Sequence, residues 1–406
     1  MVSFILPGNS ASGGYEVANS LRFDDGSSDY LVRTPSSSGN RQTFTISFWY
    51  KRTTPGTSGS FIRADNGSGI DGGIRISTDS IQFFDYNSSY KTNLVTTQLL
   101  RDVSAWYHIV CVADTTNSTS GDRALIYLNG TRITDFSSET YPTQDLNFSS
   151  INDSSFAQNI GRSQNFATYL DGYLAEFCFI DGQALTPTSF GEFDSDTNIW
   201  KPKDVSGLTF GTNGFYLDFE DSSSLGNDAA GSNNWTTNNI AATDQSTDTC
   251  TNNFATFNPL IPESSSVTFG EGNLKMTTTG TDSWTTHYGV SSIAVSSGKW
   301  YVESKVTTTT TSQAILGLIG TSQAITSSLK DNGVAAVETS GRITGGGNNI
   351  ETGLTAFSNG DIAGLAFDAD NGTAQFYRNG SAYGSAVSSI ASAEYYFATT
   401  TYDGSG

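Results

Sequence analysis

Short runs of alternating apolar and polar residues, separated by polar turn sequences, dominate the first half of the chain. Between residues 21 and 195 they recur about every 10 to 15 residues, a spacing typical of antiparallel sandwiches. Gly, Asn, Asp and Ser fill the gaps, as turns require. The run Leu174–Ile180 is nearly continuous in apolar character, which predicts a central strand. No stretch with the amphipathic periodicity of a helix is longer than about ten residues, so the pattern predicts an all-β protein.

A strand–turn–strand unit occurs twice, once around Asn129-Gly130 and once around Asn379-Gly380. Asn-Gly between β-prone runs is a strong hairpin signal, because both turn residues must reach positive φ. Each hairpin follows an apolar strand that ends in Asp and, further upstream, an aromatic strand: Trp106–Asp114 and Thr45–Tyr50 in one copy, Ile362–Asp370 and Lys299–Glu303 in the other. The repetition predicts two antiparallel β-sandwiches in tandem.

Length and composition set the domain organisation. The chain has 406 residues, enough for two or three domains at about 150 residues each. We predict an N-terminal docking arm at 1–20, a sandwich at 21–195, a long irregular connector at 196–262 and a second sandwich at 263–406. All eight Pro residues lie at or before 262, and this shift in composition supports a boundary there.

The connector and the end of the chain carry their own signals. The connector contains one added strand at Phe215–Phe219 and a polar run at 221–248, which we expect Leu225 and Trp235 to hold against one domain. The sequence stops at a turn, Asp403–Gly406. We therefore expect the second sandwich to lack its last strand and the native chain to continue.

Charge and hydropathy exclude some partners. The net charge of −20 repels phosphate backbones and anionic lipids, so we expect neither nucleic acid nor membrane insertion. The acidity leaves three interpretations open: solubility of a β-rich surface, a salty medium, or bound Ca²⁺. No stretch is long enough to cross a membrane, and Met1–Asn9 does not resemble a signal peptide.

Cysteine usage indicates a reducing compartment. Cys111 and Cys178 lie in apolar runs and are predicted to be buried free thiols, whereas Cys250 lies in the connector. Nothing suggests a disulfide framework, so assembly in a reducing cytoplasm is expected. Release by lysis as part of a virus particle would reconcile an extracellular role with the missing secretion signal.

Residues 23–190 resemble laminin G-like, concanavalin A-type jelly rolls, because four short segments match the family in order and spacing. These segments are Phe44–Trp49, Trp106–Val110, Leu125–Gly130 and Leu170–Phe177. Residues 265–400 resemble a SPRY domain, itself a concanavalin-like sandwich. The matching segments are Gly298–Glu303, Ile315–Leu318, Asn359–Asp368 and Phe376–Gly380. These resemblances imply two tandem concanavalin A-like sandwiches.

A third resemblance covers nearly the whole chain. The opening Phe4–Asn9, the strand Phe215–Phe219 and the stretch from Leu225 to Thr236 resemble appendage proteins of marine bacteriophages, which join the same two domains. This resemblance implies a virion structural protein, such as a tail fibre, a capsid fibre or a decoration protein.

The sequence offers little catalytic chemistry. Glycosidases of the concanavalin fold need closely spaced carboxylates on one strand, and the nearest cluster, Asp218 with Glu220, lacks a third. Of the two His residues, His108 lies in a core-like strand and His287 has no Ser-containing elbow near it. Zinc and phosphate-loop sites are likewise not indicated. We therefore expect no enzyme activity.

Two binding chemistries remain as candidates. Laminin G-like domains often hold Ca²⁺ at a loop edge, which suggests Asp65, Asn66 and Asp71 in one loop and Asp114 with Asp122 in another; ordinary turn residues are the alternative. Sugar binding needs an exposed aromatic ring with polar partners. The candidates for that role, with a core Trp as the alternative interpretation, are Asp282, Trp284, His287 and Tyr288.

Together these observations favour a non-enzymatic bacteriophage virion protein that displays lectin-like sandwiches for attachment to host-surface glycans or proteins. The arm and the connector would contact other virion proteins. A homo-oligomer would increase the avidity of individually weak sites through multivalency. A purely structural decoration or adaptor protein is the alternative, and a glycan hydrolase with unrecognised carboxylates is the third hypothesis.

Overall fold

The computed structural model describes residues 14–261, 267–278, 286–307, 314–323 and 329–402. These residues form two compact units, which separate between Asn253 and Phe254. Strands dominate both units, which confirms the all-β prediction. In the described part of the chain, no helix combines the length and the apolar character that crossing a bilayer requires.

The first unit is built from short antiparallel strands. Its strands are β1 Ser20–Phe23, β2 Tyr30–Arg33, β3 Thr43–Arg52, β4 Gly59–Asp65, β5 Ile70–Ser77, β6 Ser80–Asn87, β7 Tyr90–Leu99, β8 Trp106–Asp114, β9 Ala124–Leu128, β10 Thr131–Arg132, β11 Phe136–Thr140, β12 Gln158–Ile160, β13 Gly172–Asp181, β14 Gly191–Phe193, β15 Trp200–Pro202, β16 Phe215–Leu217, β17 Thr236–Asn238 and β18 Gln245–Ser246. Single 3-10 turns lie at Ser120–Asp122, Pro187–Ser189 and Ala242–Asp244.

Two large sheets enclose the core of this unit. The first has the order β10-β9-β8-β3-β13-β1-β18, with β16 also paired to β13, and the second has the order β11-β7-β6-β5-β4-β12-β2-β17. Phenylalanine rings fill the space between the sheets: Phe48 stacks on Phe177 at 5.0 Å and lies 4.8 Å from Phe61. The predicted central strand is β13, which is buried along its whole length and pairs with β1, β3 and β16.

The stretch predicted as a connector belongs to the first unit up to Asn253. We predicted one added strand there, and the structure has four: β15, β16, β17 and β18. β17 extends the second sheet through β2, and β16 and β18 join the first sheet. Leu225 and Trp235 are buried in the core, as their apolar character predicted.

An additional layer covers the outer face of the first sheet. Phe190, Val205, Phe210 and Tyr216 pack on that face. The described end of the predicted arm lies there too, because Val17 is buried and its backbone N–H donates to Thr251 Oγ1 at 2.9 Å. Burial on both faces explains why β13 reads as a nearly continuous apolar run.

The second unit has its own strands and core. Its strands are β19 Val267–Gly270, β20 Lys275–Thr278, β21 Thr286–Val295, β22 Lys299–Lys305, β23 Ala314–Gly320, β24 Ala335–Glu338, β25 Arg342–Gly345, β26 Asn348–Glu351, β27 Ile362–Asp368, β28 Thr373–Arg378, β29 Ser381–Ala382 and β30 Tyr395–Tyr402, with one helical turn, α1 Leu329–Asn332. A six-stranded sheet, β21-β30-β23-β24-β25-β26, and a four-stranded sheet, β22-β27-β28-β29, contribute to one hydrophobic cluster.

Both predicted Asn-Gly hairpins are present. Asn129 and Gly130 have φ of 48° and 78°, and Asn379 and Gly380 have φ of 50° and 80°. Each turn joins the strands expected of it, β9 to β10 and β28 to β29. The two sandwiches in tandem predicted from this repeat are therefore confirmed.

Candidate functional site

An aromatic groove on the outer face of the second sheet is the best candidate site in the first unit. Side chains of β5 and β6 alternate between the core, where Ile74 and Phe83 lie, and this face, where Arg75, Gln82 and Phe84 lie. The groove encloses about 290 Å³. We call it the β4–β7 groove; its lining includes Arg63, Asp71, Arg75, Phe84, Tyr86, Tyr90 and Phe166.

Arginine and aromatic side chains are layered at the floor of the groove. The guanidinium of Arg63 lies 5.5 Å from the centre of the Phe84 ring and 4.7 Å from that of Phe166. Arg75 lies 5.1 Å from the same Phe84 ring. Phe84 is buried, so the two cations enclose a ring that has no open face for a ligand.

A glycine makes this close approach possible. Gly73 pairs with Arg63 on one side and with Phe84 on the other, so a side chain at this position would separate them. Its φ is 147°, and a Cβ would lie 2.1 Å from the carbonyl oxygen of Ile62. Only glycine therefore fits, and its missing side chain leaves the floor of the groove open.

Two aromatic rings at the edges of the groove remain accessible. Tyr90 is 42% exposed and Phe166 is 56% exposed. Both rings are anchored, since Tyr90 packs edge-on against Tyr86 at 5.2 Å and Phe166 lies over Arg63. Rings of this kind can stack on the apolar face of a ligand while neighbouring polar groups fix its orientation.

A row of polar side chains supplies those polar groups. Arg75 Nε donates to Gln82 Oε1 at 2.6 Å, Gln82 Nε2 donates to Asn93 Oδ1 at 2.6 Å, and Asn93 Nδ2 donates to Ser138 Oγ at 2.8 Å. The row crosses four neighbouring strands, β5, β6, β7 and β11. It holds Arg75 in place through Nε, and within the described ranges no side chain or backbone oxygen accepts a hydrogen bond from its two terminal nitrogens.

The groove carries a local positive charge. Asp71 forms a bidentate ion pair with Arg63, at 2.8 and 2.5 Å, and so neutralises one cation. Among the described residues, no carboxylate forms an ion pair with Arg75. Burial lowers the pKa of Arg75, and the nearby Arg63 adds to this effect. One uncompensated guanidinium in a chain of net charge −20 favours an anionic group on the ligand.

A larger cleft of about 450 Å³ lies on the opposite sheet; its three tryptophan rings are covered, and Phe193 alone among its described lining residues is an exposed aromatic ring. Trp49, Trp106 and Trp200 are only 4, 9 and 8% exposed. Their rings therefore support the added layer and offer no open face. The β4–β7 groove is the better candidate for stacking.

Of the four residues predicted to bind sugar, the structure describes two, and both are buried. Asp282 and Trp284 lie outside the described residues. His287 and Tyr288 lie on β21 and are buried, with 0 and 2% exposure. Sugar stacking requires an open ring face, which neither residue offers, because β21 packs its side chains into the second unit.

The first predicted calcium loop is occupied by protein contacts. Asp65 and Asp71 are register partners in the β4–β5 hairpin, but Asp65 accepts hydrogen bonds from Ser163 and Asn165, and Asp71 is paired with Arg63. Asn66 Oδ1 accepts from two backbone N–H groups of its own loop, both at 3.0 Å. These are the contacts of an ordinary turn.

The second predicted loop behaves in the same way. Asp114 accepts from Thr116 Oγ1 at 2.6 Å, and Asp122 pairs with Arg132 at 2.8 Å. A different group, Asp24, Asp25 and Asp171, brings carboxylate oxygens within 4.8 Å of one another. Oxygen donors are the ligands that Ca²⁺ prefers, so this is where a calcium titration would be directed first.

The catalytic candidates are also structural. His108 Nδ1 accepts from Trp200 Nε1 at 2.9 Å, so Nε2 carries the proton and donates to Ser47 Oγ at 2.9 Å. In this tautomer His108 cannot take a proton from Ser47, and burial lowers its pKa to about 3. Asp218 and Glu220 follow β16 in a turn, where the Glu220 N–H donates to Asp218 Oδ1 at 3.1 Å.

The groove was missed at the sequence level. Alternation in Ile74-Arg75-Ile76 and in Ile81-Gln82-Phe83 predicts that Arg75 and Gln82 face outwards, but it does not indicate which strands are neighbours. Phe166 belongs to the loop between β12 and β13, which is distant in sequence from β5 and β6. A pair of outward Arg residues in such an acidic sequence was the available signal.

Comparisons with known proteins identify the fold. Residues 25–189 match a laminin G family model described as the Concanavalin A-like lectin/glucanases superfamily. No match was found among curated proteins.

Three of the solved structures similar to this chain share less than 20% identity with it. The SPRY domain of human HERC1 is 19% identical over 30% of this chain and 79% of its own, with a TM-score of 0.27. Domains LG4-5 of the mouse laminin alpha1 chain are 10% identical over 98% and 87%, with a TM-score of 0.33. A heptameric SAP-like pentraxin from Limulus polyphemus is 15% identical over 46% and 77%, with a TM-score of 0.29. The strands of the structure and the family match make the chain an all-β protein whose first domain has the laminin G-type, concanavalin A-like fold.

Proposed function

We propose that this chain is a non-enzymatic, lectin-like protein that binds glycans through the β4–β7 groove. The observation that carries the proposal is the combination of two exposed, anchored rings, Tyr90 and Phe166, with a fixed polar row that begins at Arg75. Such a site stacks on a sugar ring and hydrogen-bonds its substituents. The match of residues 25–189 to a superfamily that includes lectins supports the same function.

The ligand class follows from the charge of the groove. Arg75 is an uncompensated cation beside the neutralised Arg63–Asp71 pair. A sugar that carries a carboxylate or a sulfate would form a charge-assisted hydrogen bond there, about twice as strong as a neutral one. We therefore propose acidic glycans as the preferred ligands over neutral glycans of the same backbone.

The proposed place of action is a bacteriophage virion, assembled in the host cytoplasm and released by lysis. This part rests on the sequence resemblance to phage appendage proteins and on the three free cysteines. Multivalent display, together with oligomerisation and with docking through the N-terminal arm and the connector, would turn weak glycan sites into firm attachment to a host surface.

A glycan array that pairs acidic and neutral sugars tests the proposal. The full chain should bind acidic members, and Tyr90→Ala should abolish the signal, whereas Tyr301→Ala, which removes an exposed tyrosine of the second unit, should retain it. Binding by neither class, from the chain or from intact virions, would favour the purely structural decoration protein. Calcium dependence is checked on the same array by adding a chelator.

A further inference from the structure

Three polar side chains meet in the first unit, where Lys51 and Asp248 are buried and Asn253 is half-buried at the wall of the larger cleft. Lys51 Nζ lies 2.6 Å from Asp248 Oδ2 and 2.8 Å from Asn253 Oδ1, and the Lys51 side chain has no exposed surface. We propose that Lys51, Asp248 and Asn253 form an autocatalytic cross-linking site, in which Lys51 Nζ and Asn253 Cγ join in an isopeptide bond. This inference is independent of glycan binding.

The surroundings of Lys51 favour its reaction as a nucleophile. On β3, Lys51 is the direct register partner of Trp106 on one side and of Tyr173 on the other, so aromatic residues flank it. Val17 and Trp49 belong to the same buried cluster. Burial lowers the pKa of Lys51, although Asp248 opposes this effect. A neutral amine is the nucleophilic form of lysine.

The chain presents the other two residues by a tight turn. Thr249 and Asn252 exchange backbone hydrogen bonds of 3.2 and 3.1 Å, so the residues just outside that pair, Asp248 and Asn253, lie side by side. Trp106 Nε1 donates to Asp248 Oδ1 at 3.0 Å and fixes the carboxylate.

The amide of Asn253 is held at both ends. Its Nδ2 donates to the carbonyl oxygen of Ser104 at 2.6 Å, while its Oδ1 accepts from Lys51. Since Cγ lies one C=O bond of about 1.2 Å beyond Oδ1, Nζ and Cγ are at most about 4 Å apart. This separation is close to that of reacting atoms in a near-attack arrangement.

The reaction needs only these three side chains. A proton moves from the Lys51 ammonium to the Asp248 carboxylate beside it, which gives the neutral amine that burial favours. The Nζ lone pair attacks Cγ of Asn253, and the carbonyl electron pair moves to Oδ1. Asp248 then relays a proton from Nζ to Nδ2, the Cγ–Nδ2 bond breaks, and ammonia leaves and takes up the remaining proton. The products are one isopeptide bond, ammonium and the Asp248 carboxylate, with no oxidant or cofactor consumed.

The position of the bond suggests its use. Asn253 is the last residue of the first unit, and Lys51 lies on β3, in the middle of the first sheet. A covalent link between them would tie the end of the unit to its central strand. A pulling force on the chain beyond Asn253 would then be transmitted through the cross-link to β3, and it would not pull on the short strands β15–β18. The alternative is a simple buried ion pair with a neighbouring amide.

Intact-mass spectrometry of the purified full chain decides between the two. A cross-linked chain is lighter than its sequence by one ammonia molecule, and proteolysis should give a branched peptide that contains both Lys51 and Asn253. A succinimide at Asn129-Gly130 or Asn379-Gly380 loses the same mass, so the branched peptide is the required evidence. A mass equal to the sequence, or a loss located at an Asn-Gly turn, would overturn the proposal.

Variants separate the cross-link from a structural role. Lys51→Arg keeps a buried cation, and Asp248→Asn keeps nucleophile and amide but removes the proton relay; both should retain the full sequence mass in the soluble, folded fraction. Lys201→Met removes a different lysine, which pairs with Asp194 at 3.2 Å on the same side of the unit, and should still lose ammonia. A branched peptide persisting in Asp248→Asn would contradict the assigned role of Asp248.

Discussion

The phenol of Tyr216 donates a 2.8 Å hydrogen bond to the carboxylate of Glu176, and the phenol of Tyr15 donates to the same carboxylate at 3.1 Å. Glu176 lies at a bulge of β13, where its φ of 51° turns an acidic side chain into the layer over the first sheet. Burial raises the pKa of Glu176 to about 7, although both phenols oppose this effect.

A pH dependence of stability follows from this raised pKa. Between pH 4.5 and about 7 the unfolded chain releases the Glu176 proton before the folded chain does, so the free energy of unfolding falls as pH rises. Glu176→Gln keeps an acceptor for Tyr216 but cannot ionise. We expect it to match the native chain at pH 5 and to be more stable at pH 8, by on the order of 2 kcal/mol.

Urea unfolding at several pH values checks this expectation. Glu192→Gln, at an exposed carboxylate, is the matched control and should leave the pH dependence unchanged. Burial also raises the pKa values of Asp85 and Asp171 to about 6, so these groups likewise make the free energy of unfolding fall as pH rises. Their contribution is the same in the native chain, Glu176→Gln and Glu192→Gln. Parallel curves for the native chain and Glu176→Gln from pH 5 to 8 would contradict the prediction.

The Arg75 side chain should set the preference of the groove for acidic glycans. Arg75→Gln keeps a polar side chain but removes the cation. Because a hydrogen bond to a charged group contributes about 1.5 to 3 kcal/mol, we expect at least about a tenfold loss of affinity for a carboxylated sugar. Affinity for the neutral analogue should change little. Isothermal titration with the two sugars measures both, and equal losses would show that Arg75 acts only through the fold.

The exposed ring of Phe166 should contribute stacking at the other edge of the groove. Phe166→Ala removes a side chain that is 56% exposed, so we expect weaker binding of acidic and neutral sugars alike with little effect on stability. Phe193→Ala removes an equally accessible ring, 49% exposed, elsewhere on the first unit. Titration of both variants should show a loss for Phe166→Ala alone, and unchanged binding would place the ligand elsewhere.

The hairpins show what local sequence determines. The turns at Asn129-Gly130 and Asn379-Gly380 require positive φ at two successive positions, and the residues of the turn itself satisfy this requirement. The central strand β13 was likewise predictable from its own apolar run. In each case the signal and the structure occupy the same short segment.

The groove and the Lys51 pocket depend on pairing between distant segments. Arg63, Phe84 and Phe166 meet only because β4, β5 and β6 are neighbours and a later loop folds over them. Lys51 follows two aromatic residues on β3, and nothing in that run predicts that residues 248 and 253 would bury it. Strand order, which single-sequence patterns do not encode, therefore decided both sites.

The two Asn-Gly turns allow a matched test of glycine's role. Gly130 has φ of 78°, and a Cβ there would lie 2.4 Å from the Trp200 ring; Gly380 has φ of 80° and nothing within 4 Å. Gly380→Ala should therefore cost only the left-handed backbone penalty, about 1 to 2 kcal/mol. Gly130→Ala adds the displacement of Trp200, for about 1 to 3 kcal/mol more. Urea unfolding measures the two costs, and hydrogen exchange of peptides from each hairpin assigns each change to its own unit. Equal costs would mean that the Trp200 ring moves aside freely, and then its hydrogen bond to His108 could not be what fixes the imidazole.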